Sequence, residues 1–171
     1  MNLFFWRVIA LLLLGNSSAP ATAASFICSS ASDHYTEFKH DLSKEFKSIT
    51  ANVEFVLQRD GEYRPAANIY FHSAVEPKES VGFQILQVTE DGPLVVLARS
   101  TDPNLPDEEY VADASDKSTV SFQIDLEEKV LSARIEGVQK SIPLPFTIDM
   151  ISFGCSTGEF HFSNILIQEG E

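Results

Sequence analysis

Apolar and polar positions alternate with a period of two along most of this chain, the mark of strands with one buried face. Val53, Phe55 and Leu57 alternate with Glu54, Val56 and Gln58. Ile69 and Phe71 oppose Tyr70 and His72, and Val81, Phe83 and Ile85 share one side of a segment ending at Val88. Leu94 to Leu97 is a short buried run. Val120, Phe122, Ile124 and Leu126 alternate with Ser121, Gln123 and Asp125. Val130 to Ile135 is another strand, and segments 146–153 and 159–167 close the chain, with Phe160 and Phe162 opposite His161 and Ser163. Turn chemistry separates these runs at Arg59-Asp60-Gly61-Glu62, Asp91-Gly92-Pro93 and Glu136-Gly137. Turns arriving every 8–12 residues or so are the spacing of an all-β sandwich or barrel. No helix–strand alternation suggests a parallel sheet. The expectation is one all-β domain, an antiparallel jelly-roll β-sandwich.

One segment reads two ways. Tyr35, Phe38, Leu42, Phe46 and Ile49 fall at helical intervals, while Phe38, His40 and Leu42 also suit a strand. The strongly β character of the chain beyond Ile49 favours two strands with a turn near Ser43–Lys44. Segment 101–117 carries Pro103, Pro106 and six carboxylates, and its low apolar content reads as an exposed loop.

The N-terminus changes the picture. Arg7 is followed by an apolar run from Val8 to Leu14, too short for the roughly 20 residues that span a bilayer. Small residues precede Ser25, as Ala21-Thr22-Ala23 or Thr22-Ala23-Ala24. Residues 1–24 therefore read as a cleavable signal peptide and 25–171 as the mature domain, secreted or periplasmic. The membrane-anchor alternative is disfavoured because Arg7 interrupts the apolar stretch, and no other segment is apolar enough to span a membrane. Cys28 and Cys155 are the only cysteines, and export makes a disulfide between them the default reading. The leader also holds Trp6, the sole tryptophan.

Charge narrows the partners. The chain carries a formal charge of −13, and loss of Arg7 with the leader makes it −14. Nucleic acid needs clustered Lys and Arg against its phosphates, so this balance excludes it. It also disfavours anionic membrane surfaces.

Strands in the order FKSITANVEFVLQ, NIYFH, VGFQIL, VLSARIEGVQ and GEFHFSNILIQ give a pattern that resembles the concanavalin A-like lectin/glucanase sandwiches, which include laminin-G-like and galectin-like domains. The resemblance covers most of the mature chain. The His-x-Asn-Pro-Arg and Trp-Gly-x-Glu motifs of galectins are absent. It implies a jelly roll whose first and last strands lie close together, which suits a Cys28–Cys155 bond. It also implies a saccharide as the ligand class.

Three constellations are candidates for chemistry. Outward positions Asn68, Tyr70, His72, Gln84, Glu159 and His161 would line a polar sheet face, and five of them, Asn68, Tyr70, His72, Gln84 and His161, are the candidate ligand-binding residues. Sugars need planar hydrogen-bonding groups and an aromatic plate, which Tyr70, Tyr63 or Tyr110 would supply. The plain alternative is a solvated face. Gln123-Ile124-Asp125-Leu126-Glu127 is similar to the Glu-x-Asp-x-Glu strand of one glucanase family, with Gln123 where the nucleophile would stand. Glu127, Asp125 and Glu159 are the candidate acids of a saccharide hydrolase. Asp102, Asp107, Glu108, Glu109, Asp113 and Asp116 make an acidic segment in which Asp107, Glu108 and Asp113 are candidate calcium ligands. His72 and His161 lack a third partner for zinc at any recognisable spacing. The leading expectation is a secreted, non-catalytic recognition domain for glycans. A hydrolase of the same superfold and a structural or protein-interaction module are the alternatives.

Overall fold

The computed structural model describes residues 23–74, 79–88, 92–114 and 118–170. The leader reading falls on residues 1–22 and just beyond, so it lies almost wholly outside the described residues, as do Asp91 and Asp116. Among the described residues there are twelve strands and no helix. They are β1 (Ala24–Ser29), β2 (Tyr35–Asp41), β3 (Phe46–Gln58), β4 (Ala66–His72), β5 (Ser80–Gln87) and β6 (Leu94–Ser100), then β7 (Glu108–Asp113), β8 (Thr119–Glu127), β9 (Val130–Ile135), β10 (Val138–Pro143), β11 (Met150–Ser156) and β12 (Gly158–Glu169). Two six-stranded sheets form, in the orders β1-β12-β3-β8-β9-β10 and β2-β11-β4-β5-β6-β7. Every pairing is antiparallel.

The alternation seen in the sequence is what packs the two sheets together. Ile69, Phe71, Phe83 and Ile85 of one sheet and Phe160 and Phe162 of the other are all fully buried. With Val53, Ile124, Leu131 and Ile151 they form one continuous core. Local chemistry sets the hairpins. Glu128 and Lys129 join β8 to β9, and Glu136 and Gly137 join β9 to β10, all four with positive φ. Two such residues in a row fit the right-handed twist of the strands they connect.

The ambiguous segment forms two strands, β2 and the start of β3, with a turn between them. The turn carries the chain from one sheet to the other. Glu169 holds it: its Oε2 accepts from Ser43 N at 2.9 Å, Ser43 Oγ at 2.8 Å and Lys44 N at 2.6 Å.

Two other segments depart from expectation. The acidic stretch is not a loop throughout, because residues 108–113 form edge strand β7 against β6. Ladder hydrogen bonds to a formed sheet stabilise that strand despite its weak hydrophobic pattern. Residues 146–149 precede β11 without joining it. They still drop Phe146 and Ile148 into the core.

Cys28 on β1 and Cys155 on β11 form a disulfide with Cα atoms 6.0 Å apart. It therefore ties an edge strand of one sheet to an interior strand of the other. Among the described residues no helix is long and apolar enough to cross a membrane.

Candidate functional site

The outer face of the β2-β11-β4-β5-β6-β7 sheet carries the richest polar chemistry. Register fixes its rows. Lys39, Ser152, Tyr70, Gly82, Arg99 and Glu108 follow one another across all six strands. The adjacent row runs Glu37, Gly154, Asn68, Gln84, Leu97 and Tyr110.

Two glycines let tyrosine rings lie down on this face. A Cβ on Gly82 would stand 2.5 Å from Tyr70 Cδ1 and 2.2 Å from the Ile69 carbonyl oxygen. A Cβ on Gly154 would stand 2.2 Å from the Tyr35 hydroxyl. Only hydrogen fits at either place. Tyr70 lies over Gly82 with its edge towards His72, ring centroids 6.1 Å apart. The Arg99 guanidinium reaches the Tyr70 hydroxyl, and Arg99 is itself paired with Glu108. Burial pushes the Tyr70 phenol up, opposed by the charge and hydrogen bond of Arg99. Beside Tyr70 is a hollow of about 370 Å³ lined by Ser80, Arg99, Ser100, Thr101 and Asp107.

The second tyrosine closes the neighbouring row. Burial, then the charge of Glu37, push the Tyr35 phenol up to about 12, while the Asn68 carboxamide donates to its oxygen. Asn68 is only 5% exposed, and its Oδ1 has no hydrogen-bond partner among the described residues. His72 Nε2 is hydrogen-bonded to the fully buried Ser152 Oγ at 2.7 Å. Burial lowers the His72 pKa, with Glu37 raising it and Lys39 lowering it by smaller amounts.

The lowered His72 value has a consequence for stability. An unfolded histidine titrates near 6.5 or so. Below that pH the unfolded chain takes up a proton that folded His72 resists. The stability tied to neutral His72 is therefore complete above the unfolded value and is lost as pH falls through the lower folded value. Urea midpoints at pH 7.5 and pH 5.5 are expected to converge in His72→Gln relative to the unaltered protein.

Of the expected ligand-binding residues, Asn68, Tyr70, His72 and Gln84 come together on this face. His161 and Glu159 do not. Both stand on β12, in the other sheet, where His161 Nδ1 is 3.6 Å from Glu54 and Glu159 is 3.7 Å from Arg59. Two inward patterns of the same period belong to opposite layers, so their outward faces point away from each other.

One of the three candidate acids stands apart from the other two. Asp125 and Glu127 are exposed on β8. Asp125 pairs across β3 with Ser48, and Glu159 with Leu57. Those β3 positions are nine residues apart, about 30 Å of strand, against the roughly 5–9.5 Å that glycosidase carboxyl pairs need. Glu159 therefore makes no pair with either acid.

The calcium reading fares similarly. Glu108 and Asp113 are at the two ends of β7, about 17 Å apart on an extended strand, while Asp107 faces the hollow beside Tyr70. Among the described residues no group of three His, Cys, Asp or Glu side chains is placed to hold a metal ion. Asp102 is buried and serves its own turn, accepting from Asn104 N at 2.8 Å and Asn104 Nδ2 at 2.9 Å. Tyr63 is exposed in the β3–β4 loop, away from the sheet face, and lines a separate polar hollow with Arg59 and Arg64.

No family model matches this sequence, and no curated protein matches it. Solved structures do match in three dimensions. The alginate lyase of Pseudomonas aeruginosa is 14% identical at a TM-score of 0.54, over 74% of this chain and 66% of the lyase. The β-glucanase of Bacillus licheniformis is 8% identical at a TM-score of 0.53, over 79% of this chain and 71% of the enzyme. The carbohydrate-binding module CBM66 of Bacillus subtilis is 11% identical at a TM-score of 0.51, over 78% of this chain and 82% of the module. This chain has the concanavalin A-like lectin/glucanase sandwich fold. At these identities the likeness establishes the fold and nothing finer.

Sequence reasoning missed Arg99, Tyr35, Glu37 and Ser152 on the sandwich's polar face. Arg99 was within reach: continuing the alternation of Val95 and Leu97 by one step places it outward. Tyr35 and Glu37 become visible once segment 35–41 is taken as a strand. Ser152 gave no signal, because β11 is buried on both faces over most of its length.

Proposed function

We propose that this protein is a secreted, non-catalytic recognition domain that binds a saccharide on the outer face of the β2-β11-β4-β5-β6-β7 sheet. In this reading residues 1–24 are removed as a leader and 25–171 form the working domain. The observation that carries it is Tyr70, laid over Gly82 and flanked by His72 and Arg99 beside the open hollow. An aromatic plate offers its face to the C–H groups of a sugar ring. The planar groups of Asn68, Gln84 and Arg99 and the hydroxyls of Ser80 and Thr101 offer paired donors and acceptors for vicinal hydroxyls. The solved neighbours include a carbohydrate-binding module and an enzyme acting on glucan, which fits the same class of ligand. The disulfide fits an oxidising compartment.

A glycan array on the secreted protein, with and without calcium, tests this. Binding to a defined saccharide set is expected, and Tyr70→Ala is expected to weaken it about 5- to 30-fold, the loss of one interface anchor at 1–2 kcal/mol. An array silent under both conditions would remove the reading, and so would full binding by Tyr70→Ala.

A further inference from the structure

Among the described residues the polar face carries three tyrosines, with a ring at every second strand. Tyr35 lies over Gly154 of β11, Tyr70 over Gly82 of β5, and Tyr110 projects from β7. In the sheet order β2-β11-β4-β5-β6-β7, successive rings are two strands apart, about 9.5 Å, so the set spans about 19 Å. Register puts Gly154, Gln84 and Tyr110 in one row and Tyr70, Gly82 and Arg99 in the next. The rings therefore flank a strip that runs across the strands, with Gln84 and Arg99 in it. Each hydroxyl is tied back to the sheet. Tyr35 donates to Glu37, Tyr110 donates to Asp113, and Tyr70 accepts from Arg99. A phenol held at its hydroxyl keeps its ring in place and leaves the ring face open to a ligand. Tyr35 is 51% exposed and Tyr110 58%, so neither ring fills the core.

We infer that the ligand of this face is an internal stretch of a linear polysaccharide laid across the strands, and not a single terminal sugar. The inference rests on the saccharide reading and sets the form that the saccharide takes. One sugar ring stacks on one aromatic plate and cannot reach a second about 9.5 Å away. A chain of rings presents a C–H face at each repeat and meets all three plates. Plates whose hydroxyls are already anchored lose little side-chain freedom on binding, so each added contact registers as affinity. Tyr70, beside the open hollow, is the middle plate, and the shortest chains would occupy it. Tyr35 and Tyr110 would take up the chain on either side.

Linear glucan, fructan, mannan and uronan oligosaccharides, each graded from disaccharide to octasaccharide, test the inference on the secreted protein. Within the series that binds, affinity is expected to rise about tenfold or more from the shortest bound member to the longest, as outer plates are engaged. Tyr35→Ala and Tyr110→Ala are each expected to weaken the octasaccharide about 5- to 30-fold and to leave the shortest bound member unchanged. Equal affinity along the series overturns the inference, and so does full octasaccharide binding by both variants. Loss of the shortest member together with the octasaccharide also overturns it, since the outer rings would then act through the fold and not as plates. Each of these results leaves the saccharide reading standing. Silence across every series removes that reading, and this inference with it.

Discussion

Replacing Cys28 and Cys155 together by alanine is expected to lower the free energy of unfolding by about 4 kcal/mol, the entropy of closing a long loop. The bond spans 127 residues, nearly the whole folded domain. It also joins the two layers, from edge strand β1 of one sheet to interior strand β11 of the other. Both cysteines are buried, at 4% and 0% exposure, so alanine is the better replacement. A serine would add a buried hydroxyl in need of a partner. For a urea m-value of about 1–2 kcal/mol/M, the midpoint should fall by roughly 2 M or more. A midpoint close to that of the unaltered protein would mean that the reduced, unfolded chain is already compact enough for the crosslink to remove little entropy.

The second large effect belongs to Phe162. Its ring is fully buried, stacked on Phe26 at 4.9 Å and 12°, and set edge-on to Phe153 at 5.7 Å. Phe162→Ala removes one of the aromatics that link the two layers. A loss of about 3–5 kcal/mol is expected, because the surrounding strands are fixed by their ladders and cannot collapse into the space. Val138→Ala is the control: Val138 is 41% exposed on edge strand β10, and the change should stay within about 0.5 kcal/mol. Urea unfolding of the three proteins separates the outcomes. A cost for Phe162→Ala no larger than the control's would show that the interlayer cluster contributes little.

These two sites also show how far the chain can be read directly. Val53, Ile69, Phe83, Ile124 and Phe160 declare their burial by period two, because successive side chains of a strand face opposite ways. The hairpins at 128–129 and 136–137 declare themselves through short polar turns. Segment 35–41 is ambiguous for a physical reason. β2 is an edge strand with most of its side chains exposed, so no buried face imposes a single period. β7 is hidden because its pairing with β6, and not its composition, makes it a strand.

The polar face is legible only in part. Period two tells which side of a strand Tyr70, His72 and His161 occupy, and it places all three outward. It cannot tell which of two layers each strand enters. That choice sends His161 to the far side of the molecule and brings Arg99, Tyr35 and Ser152 up to Tyr70 and His72.

Residue order was enough to specify the all-β sandwich, its inward residues, most of its turns and the pairing of its only two cysteines. Each of these follows from chemistry within a few residues or from having a single partner to choose. Folding in three dimensions was needed to set the order of strands in each sheet and the tyrosines laid over Gly82 and Gly154. Those depend on contacts between segments far apart in the chain, which no local period encodes.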